Sequence, residues 1–215
     1  MKSKRKNFSI VEMCWNAEIS LQSFIFGAIG IVLAYVFKFP LPFLFFYMTI
    51  ILMQLVEYVV WSNYDDKNIN FYSSLGASFL LFLQPVAAIS TLPKNLAIPF
   101  LIAYLALDLF ARLFVLNVST LRETYKMYRA ENGHLSWNFL KKDLQSIPQY
   151  FVYFFFLFVP FLISKDFAII ALALITLSLS LFTFFTQNTW GSMWCWIINI
   201  GLPFFVISHV MNPKK

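Results

Sequence analysis

Charge is what this chain has least of. Asp, Glu, Lys and Arg make up 12% of its 215 residues, about half the share of an ordinary soluble domain. So few charges cannot cover a globule of this size, which excludes a soluble monomer. Disorder is excluded too, because it needs low hydrophobicity and high charge, whereas 60% of these residues are hydrophobic. Cysteine and histidine are scarce, with two of each. Cys14 and Cys195 stand far apart without metal-ligand spacing, so no zinc motif is legible, and nothing in the pattern supports a disulfide framework. A cleavable signal is also missing: Met1 to Lys6 is basic, but Glu12, Asn16 and Glu18 interrupt any short apolar run behind it.

What remains is a series of long apolar runs. A transmembrane helix needs roughly 20 mostly apolar residues, and seven runs qualify: 18–37, 41–61, 70–92, 95–117, 146–164, 166–187 and 190–211. Prolines and short polar stretches separate them, as at Phe39-Pro40-Leu41-Pro42 and Ser164-Lys165-Asp166. Several of these breaks allow only antiparallel hairpins. The expected fold is all-α, an integral membrane bundle of seven transmembrane helices, with six or eight as the alternatives. Residues 1–17 form a basic N-terminal segment and 18–215 a single transmembrane helical domain.

The connection between the fourth and fifth runs, 118–145, is too charged to span. Leu121, Tyr125 and Tyr128 recur in it at helical spacing, as do Leu135, Phe139 and Leu140. This predicts either an amphipathic segment or two at the membrane interface, broken near Asn132-Gly133, or a solvated loop. Seven spans put Lys2, Lys4, Arg5, Lys6 and Lys67 on one side, with five more cations of this long loop. The other side carries Lys38, Lys94, Lys165, Lys214 and Lys215. The positive-inside bias then places the N-terminus in the cytoplasm and the C-terminus outside. The net charge of +6 is therefore explained by topology, and nucleic acid is not an expected partner. That orientation is opposite to the one shared by G-protein-coupled receptors and microbial rhodopsins. The last run also contains no lysine for a retinal Schiff base.

Ionisable residues inside spans are costly and usually face a bundle interior, which makes them functional candidates. Gln54, Glu57, Tyr58 and Trp61 share one face of the second run, at i, i+3, i+4 and i+7. Glu57 lies about 6 Å below the helix end. An interfacial carboxylate tied to neighbouring helices is the plainer reading. Asp108 and Arg112 stand at i, i+4 in the fourth run, where they can neutralise one another as a structural ion pair or flank a substrate. The topology brings the ends of the second and fourth runs to one membrane face. The same face receives Cys14, His134 of the long loop, and the start of the seventh run with Cys195 and Asn199. The candidate pocket is therefore Gln54, Glu57, Trp61, Asp108, Arg112, His134, Cys195, Asn199 and Cys14, opening to the cytoplasm. Both cysteines read equally as small buried hydrophobes, and His134 as a loop residue bonded to backbone. No metal site and no cofactor are expected.

Met13-Cys14-Trp15-Asn16-Ala17-x-x-Ser20 together with Gln54-x-x-Glu57-x-x-x-Trp61 resembles a family of small multi-pass membrane proteins of bacteria and large DNA viruses. Gln84-Pro85, Gly133-His134-Leu135-x-Trp137 and Gly191-Ser192-Met193-Trp194-Cys195-Trp196 are similar to its viral members. Twelve residues precede Met13, which reads as an extension or as a start at Met13. The resemblance supports the choice of site residues and implies no activity. PQ-loop transporters offer a fainter analogy through Pro148-Gln149. Two histidines are too few for ceramidase-type lipid hydrolysis.

Three functions compete. A transporter, channel or small-molecule binder with a polar vestibule around Glu57 and Asp108–Arg112 ranks first. A structural or interaction protein acting through its basic loop ranks second. An enzyme using Cys14 or Cys195 with His134 and Glu57 on a lipid-soluble substrate ranks last. The partners in view are the lipid bilayer, a small molecule or ion, and further copies of the chain as a homo-oligomer. A reporter enzyme inserted in the long loop is expected to be active on the cytoplasmic side, and one fused after His209 on the opposite side.

Overall fold

The computed structural model describes residues 16–115, 120–140 and 146–211, and Cys14 lies outside them. Its helices are α1 (Ala17–Val36), α2 (Leu41–Ser62), α3 (Lys67–Ile89), α4 (Lys94–Val115), the single turn α5 (Leu121–Thr124), α6 (Ile147–Ile163), α7 (Phe167–Phe184) and α8 (Trp190–Met211). Between α5 and α6 stands a hairpin of β1 (Met127–Arg129) and β2 (Leu135–Trp137). Six of the described helices, α1 to α4, α7 and α8, are long and apolar enough to cross a membrane. The expected run at 146–164 is the apolar helix α6, which has 17 residues. At 1.5 Å per residue it reaches about 25 Å, a little short of a typical hydrocarbon core.

The ends of these helices follow local chemistry. Asn16 caps α1 by accepting from the Ile19 N–H at 3.0 Å, and Asp66 caps α3 by accepting from Asn68 and Ile69. The α1–α2, α6–α7 and α7–α8 turns share one closing device. Lys38, Lys165 and Asn188 each adopt a left-handed backbone, with φ of 58°, 57° and 58°. In each turn that residue and the next donate back to the helix end: Lys38 to Tyr35 and Phe39 to Ala34, for example, at 3.0 and 2.9 Å. These bonds satisfy the last helical carbonyls and reverse the chain within three to five residues.

In α1 burial runs opposite to that of a soluble bundle. The buried residues of α1 are Ser20, Ser23, Gly27, Gly30 and Ala34, a seam of small side chains, while Ile25, Ile29, Val32 and Val36 face outward. Without a hydrophobic drive between helices in lipid, small residues allow the close backbone approach that packing needs. α1 rests on α2 and α8 through this seam, α3 packs on α2 and α6, and α7 on α8. α4 is the most peripheral of the six, with only 17% of its apolar window buried. Pro85 breaks the hydrogen-bond ladder inside α3, and the Tyr104 hydroxyl of α4 donates to the nearby Phe82 carbonyl at 2.9 Å. Neighbouring helices are the usual source of partners for backbone groups at such breaks.

The long loop differs from both expectations. Among its described residues helical spacing yields only the four residues of α5, and Tyr128 falls on a strand. Met127 pairs with Trp137, Tyr128 with Ser136 and Arg129 with Leu135, antiparallel. The reversal uses the Asn132-Gly133 step, with Gly133 at φ 82°, a conformation that glycine adopts without strain. All three residues of β2 are buried. Tertiary contact overrides the helical pattern here. Asn70 of α3 both donates to and accepts from the Met127 backbone at 2.9 Å. Ser136 donates to the Asn188 carbonyl, and Asn132 to the Thr189 hydroxyl. The hairpin is thus a lid tucked against the bundle end.

A Cβ added at Gly30 would meet the Tyr47 hydroxyl and come within 2.9 Å of Pro203 Cγ, whereas one at Gly76 meets nothing within 4 Å. Gly30→Leu is expected to destabilise the bundle by about 1–3 kcal/mol, the usual range for overpacking. Gly76→Leu should be nearly neutral. Thermal unfolding of both variants in detergent checks the difference.

Candidate functional site

The hairpin covers the end of the bundle where α2, α4 and α7 finish and α3, α6 and α8 begin. Most of the expected site residues meet there. Glu57 is 4% exposed and faces the Ser192 hydroxyl and the Trp137 indole. One of its oxygens, Oε1, and the Trp137 Nε1 are buried without a hydrogen bond of full geometry among the described residues. Cys195, one helical turn beyond Ser192 on average spacing, is buried and close enough to Glu57 for the two groups to interact electrostatically. Gln54 is fully buried one turn deeper than Glu57, with neither end of its amide paired among the described residues.

Asp108 and Arg112 form the expected ion pair, Nε to Oδ2 at 2.6 Å, and Arg112 Nη1 reaches Ser78 Oγ at 3.3 Å. Arg112 also lies over the Phe82 ring at 5.8 Å. This pair lines a cavity of about 40 Å³ together with Ser78, Trp137, Tyr153 and Cys195. At roughly 10–15 Å³ of such space per water, a few waters or one small ion fit. Glu57 is not among the residues lining the cavity; Trp137, which it faces, is. The Tyr153 hydroxyl, also in the cavity wall, donates to Gln84 Oε1. Gln84 Nε2 is buried without a described partner. Polar groups buried without partners are expensive in any interior; of those named here Trp137 borders the void, while Gln54, Glu57 and Gln84 lie outside its lining.

Three expected residues sit elsewhere. Asn199 is fully buried in the α1–α8 seam, donating to Ser23 O at 2.7 Å and Ser23 Oγ at 2.9 Å. It joins helices and does not line the cavity. Trp61 is half-buried at the rim, stacked on Tyr64 with ring centroids 6.0 Å apart. His134 lies in the hairpin turn, edge-on to Phe184 at 5.3 Å, and its backbone N–H donates to Asn132 Oδ1. Among the described residues no group of three or more His, Cys, Asp or Glu side chains is placed to hold a metal ion.

Other site residues escape a reading by sequence. Ser78 and Tyr153 look like ordinary members of apolar spans, and Trp137 enters the sequence reading only within Gly133-His134-Leu135-x-Trp137. Helical phase brings Ser78 and Tyr153 to the cavity, and the hairpin brings Trp137 there. Gln149 is the exception, since it also lines the cavity and follows Pro148 at the start of α6.

No family model, curated protein or solved structure matches this chain. The geometry of the site therefore carries the functional argument alone.

Burial lowers the His134 pKa from 6.5 to about 4. The neutral ring is favoured in the folded state, so its contribution to stability is complete above about pH 6.5 and declines as pH falls towards 4. The full shift corresponds to on the order of 3 kcal/mol. Between pH 7 and 4.5 the detergent-solubilised protein should lose thermal stability more steeply than His134→Gln, and parallel curves would exclude this origin.

Proposed function

We propose that this chain is a seven-span membrane protein that binds or conducts a small ion or molecule through a polar vestibule on its cytoplasmic face. The observation that carries the reading is the cavity bordered by Asp108, Arg112, Tyr153 and Cys195, with Glu57 behind Trp137. Ionisable groups kept inside spans despite their cost commonly mark ion and proton pathways. The size of the void favours a proton, a small inorganic ion or water over an organic substrate. α6 serves as the fifth span, its shortness made up by tilt or by local thinning of the bilayer. The basic loop and N-terminus support a cytoplasmic placement of the hairpin.

In this reading the hairpin acts as a plug. Trp137 is 2% exposed, faces Glu57 and lines the cavity, so its indole adjoins both the carboxyl and the space beside the Asp108–Arg112 pair. Movement of β2 would join the two polar groups into one path. The resemblance to the bacterial and viral membrane proteins supports the selection of Glu57, Gln54 and Trp61 and adds no activity to it.

Proton and alkali-cation fluxes into proteoliposomes, followed with a trapped pH dye and with ion-selective electrodes, test the proposal. Glu57→Gln and Asp108→Asn are each expected to lower the flux at least about tenfold, the scale of one lost charge interaction of 1.4 kcal/mol. Unchanged fluxes in Glu57→Gln would remove that residue from the mechanism.

A further inference from the structure

The Asp108–Arg112 pair borders two spaces. On its inner side is the small cavity; on its outer side, between α3 and α4, runs an open groove of about 460 Å³. Ser78, Asp108 and Arg112 line both. The groove floor is apolar, with Phe79, Phe82, Leu105 and Leu109. Its end towards the hairpin is Tyr125, which also borders a second open space of about 320 Å³ holding Lys67, Arg122 and Lys126 with Asp65 and Glu123. An apolar slot at membrane depth therefore continues into a polar, hydroxyl-bearing pocket at headgroup depth, in which the three cations exceed the two carboxylates by one.

Among the described residues the donors of Arg112 are not all taken. Its guanidinium carries five N–H groups, of which the described residues take one at Nε and one at Nη1. The side chain is 26% exposed and sits about 5 Å inside the end of α4 at 1.5 Å per residue. The other outward faces of α4 and α7, such as Ile102, Leu113, Ile175 and Phe182, present apolar side chains. A second copy packed into the groove would have to offer an acceptor to Arg112 from within an apolar face.

We propose that the groove between α3 and α4 binds one anionic phospholipid, its acyl chain along Phe79, Phe82, Leu105 and Leu109 and its phosphate on Arg112, Ser78 and Tyr125. A phosphodiester suits the site better than a fatty-acid carboxylate because the cations are spread over two adjoining spaces. Planar arginine donors bind phosphate oxygens in pairs, and the hydroxyls of Ser78 and Tyr125 add neutral donors. On the cytoplasmic side, where the basic loop is expected to lie, anionic lipids are enriched and basic residues near the surface attract them. This site faces the bilayer and does not depend on ion passage through the inner cavity.

Competition for the purified full chain in detergent, read by native mass spectrometry and by thermal shift, provides the test. The probes are phosphatidylglycerol, phosphatidylcholine of the same acyl chains, and oleate. Phosphatidylglycerol is expected to be retained over phosphatidylcholine by at least about fivefold, the effect of one basic residue at an anionic surface. Removing Arg112 alone would strand Asp108, so the informative variant is the neutral pair Asp108→Asn with Arg112→Gln, joined by Tyr125→Phe. The preference should fall to near unity in the first and be reduced in the second, both with the wild-type fold by circular dichroism. Equal retention of the two phospholipids, or a preference that survives loss of the pair, overturns the proposal. So does stronger binding of oleate than of phosphatidylglycerol, or disulfide-linked dimers from Leu109→Cys in place of lipid. Glu57→Gln should keep the lipid preference, which separates this result from any failure of the flux experiment.

Discussion

Asn199 of α8 donates both of its amide hydrogens to Ser23 of α1 in a region without access to solvent. Lipid offers no partner for such a group, so polar side chains within a span turn towards the bundle interior, where neighbouring helices supply many of their partners. That constraint orders the whole fold. It turns the small, polar seam of α1 inward and its isoleucines outward, and it phases α2 so that Gln54 and Glu57 point to the centre. In α3 the residues Asn70, Ser74, Ser78 and Gln84 are buried under the same rule. Large hydrophobic residues are divided between a buried core, with Phe46, Ile50 and Phe161, and the outer surface, with Val32, Ile102 and Phe182.

The constraint also explains the hairpin. At the end of the bundle, α2, α3 and α8 expose polar side chains and backbone that need cover. β2 provides it with Leu135, Ser136 and Trp137, all buried, and Asn70, Asn188 and Thr189 tie the strands down. A strand pair suits this role because part of its backbone is satisfied across the ladder and Asn70 takes the outward-facing groups of Met127, while its side chains fill the space beneath. The result is a cover whose tryptophan faces a buried carboxyl and lines the cavity beside the ion pair.

The two sides of the Asp108–Arg112 pair suggest how the bundle meets its surroundings. Inward, the pair helps to enclose a water-sized void; outward, it brings charge to a lipid-facing slot. An ion pair at i, i+4 can enter the membrane because it is nearly neutral as a unit. It retains directional donors that a hydrophobic replacement would lack. The same two residues can thus serve packing, the cavity and a lipid headgroup without conflict.

Composition and periodicity determined that this is a helical membrane protein, where most helices begin and end, and that Glu57, Asp108 and Arg112 are its exceptional charges. Those features are legible because they depend on local length, hydropathy and helical phase. The conformation of 127–137 was not legible. Its apolar residues fit a helix as well as a strand, and only the acceptors and donors waiting on α3 and the α7–α8 turn select the hairpin. Nor could the sequence separate Asn199, which binds α1, from Cys195, which lines the cavity, though they lie four residues apart on one helix. Which neighbour each one meets is set by how α8 is rotated between α1, α2 and the hairpin. That rotation is a property of the packed bundle and has no counterpart in any local pattern.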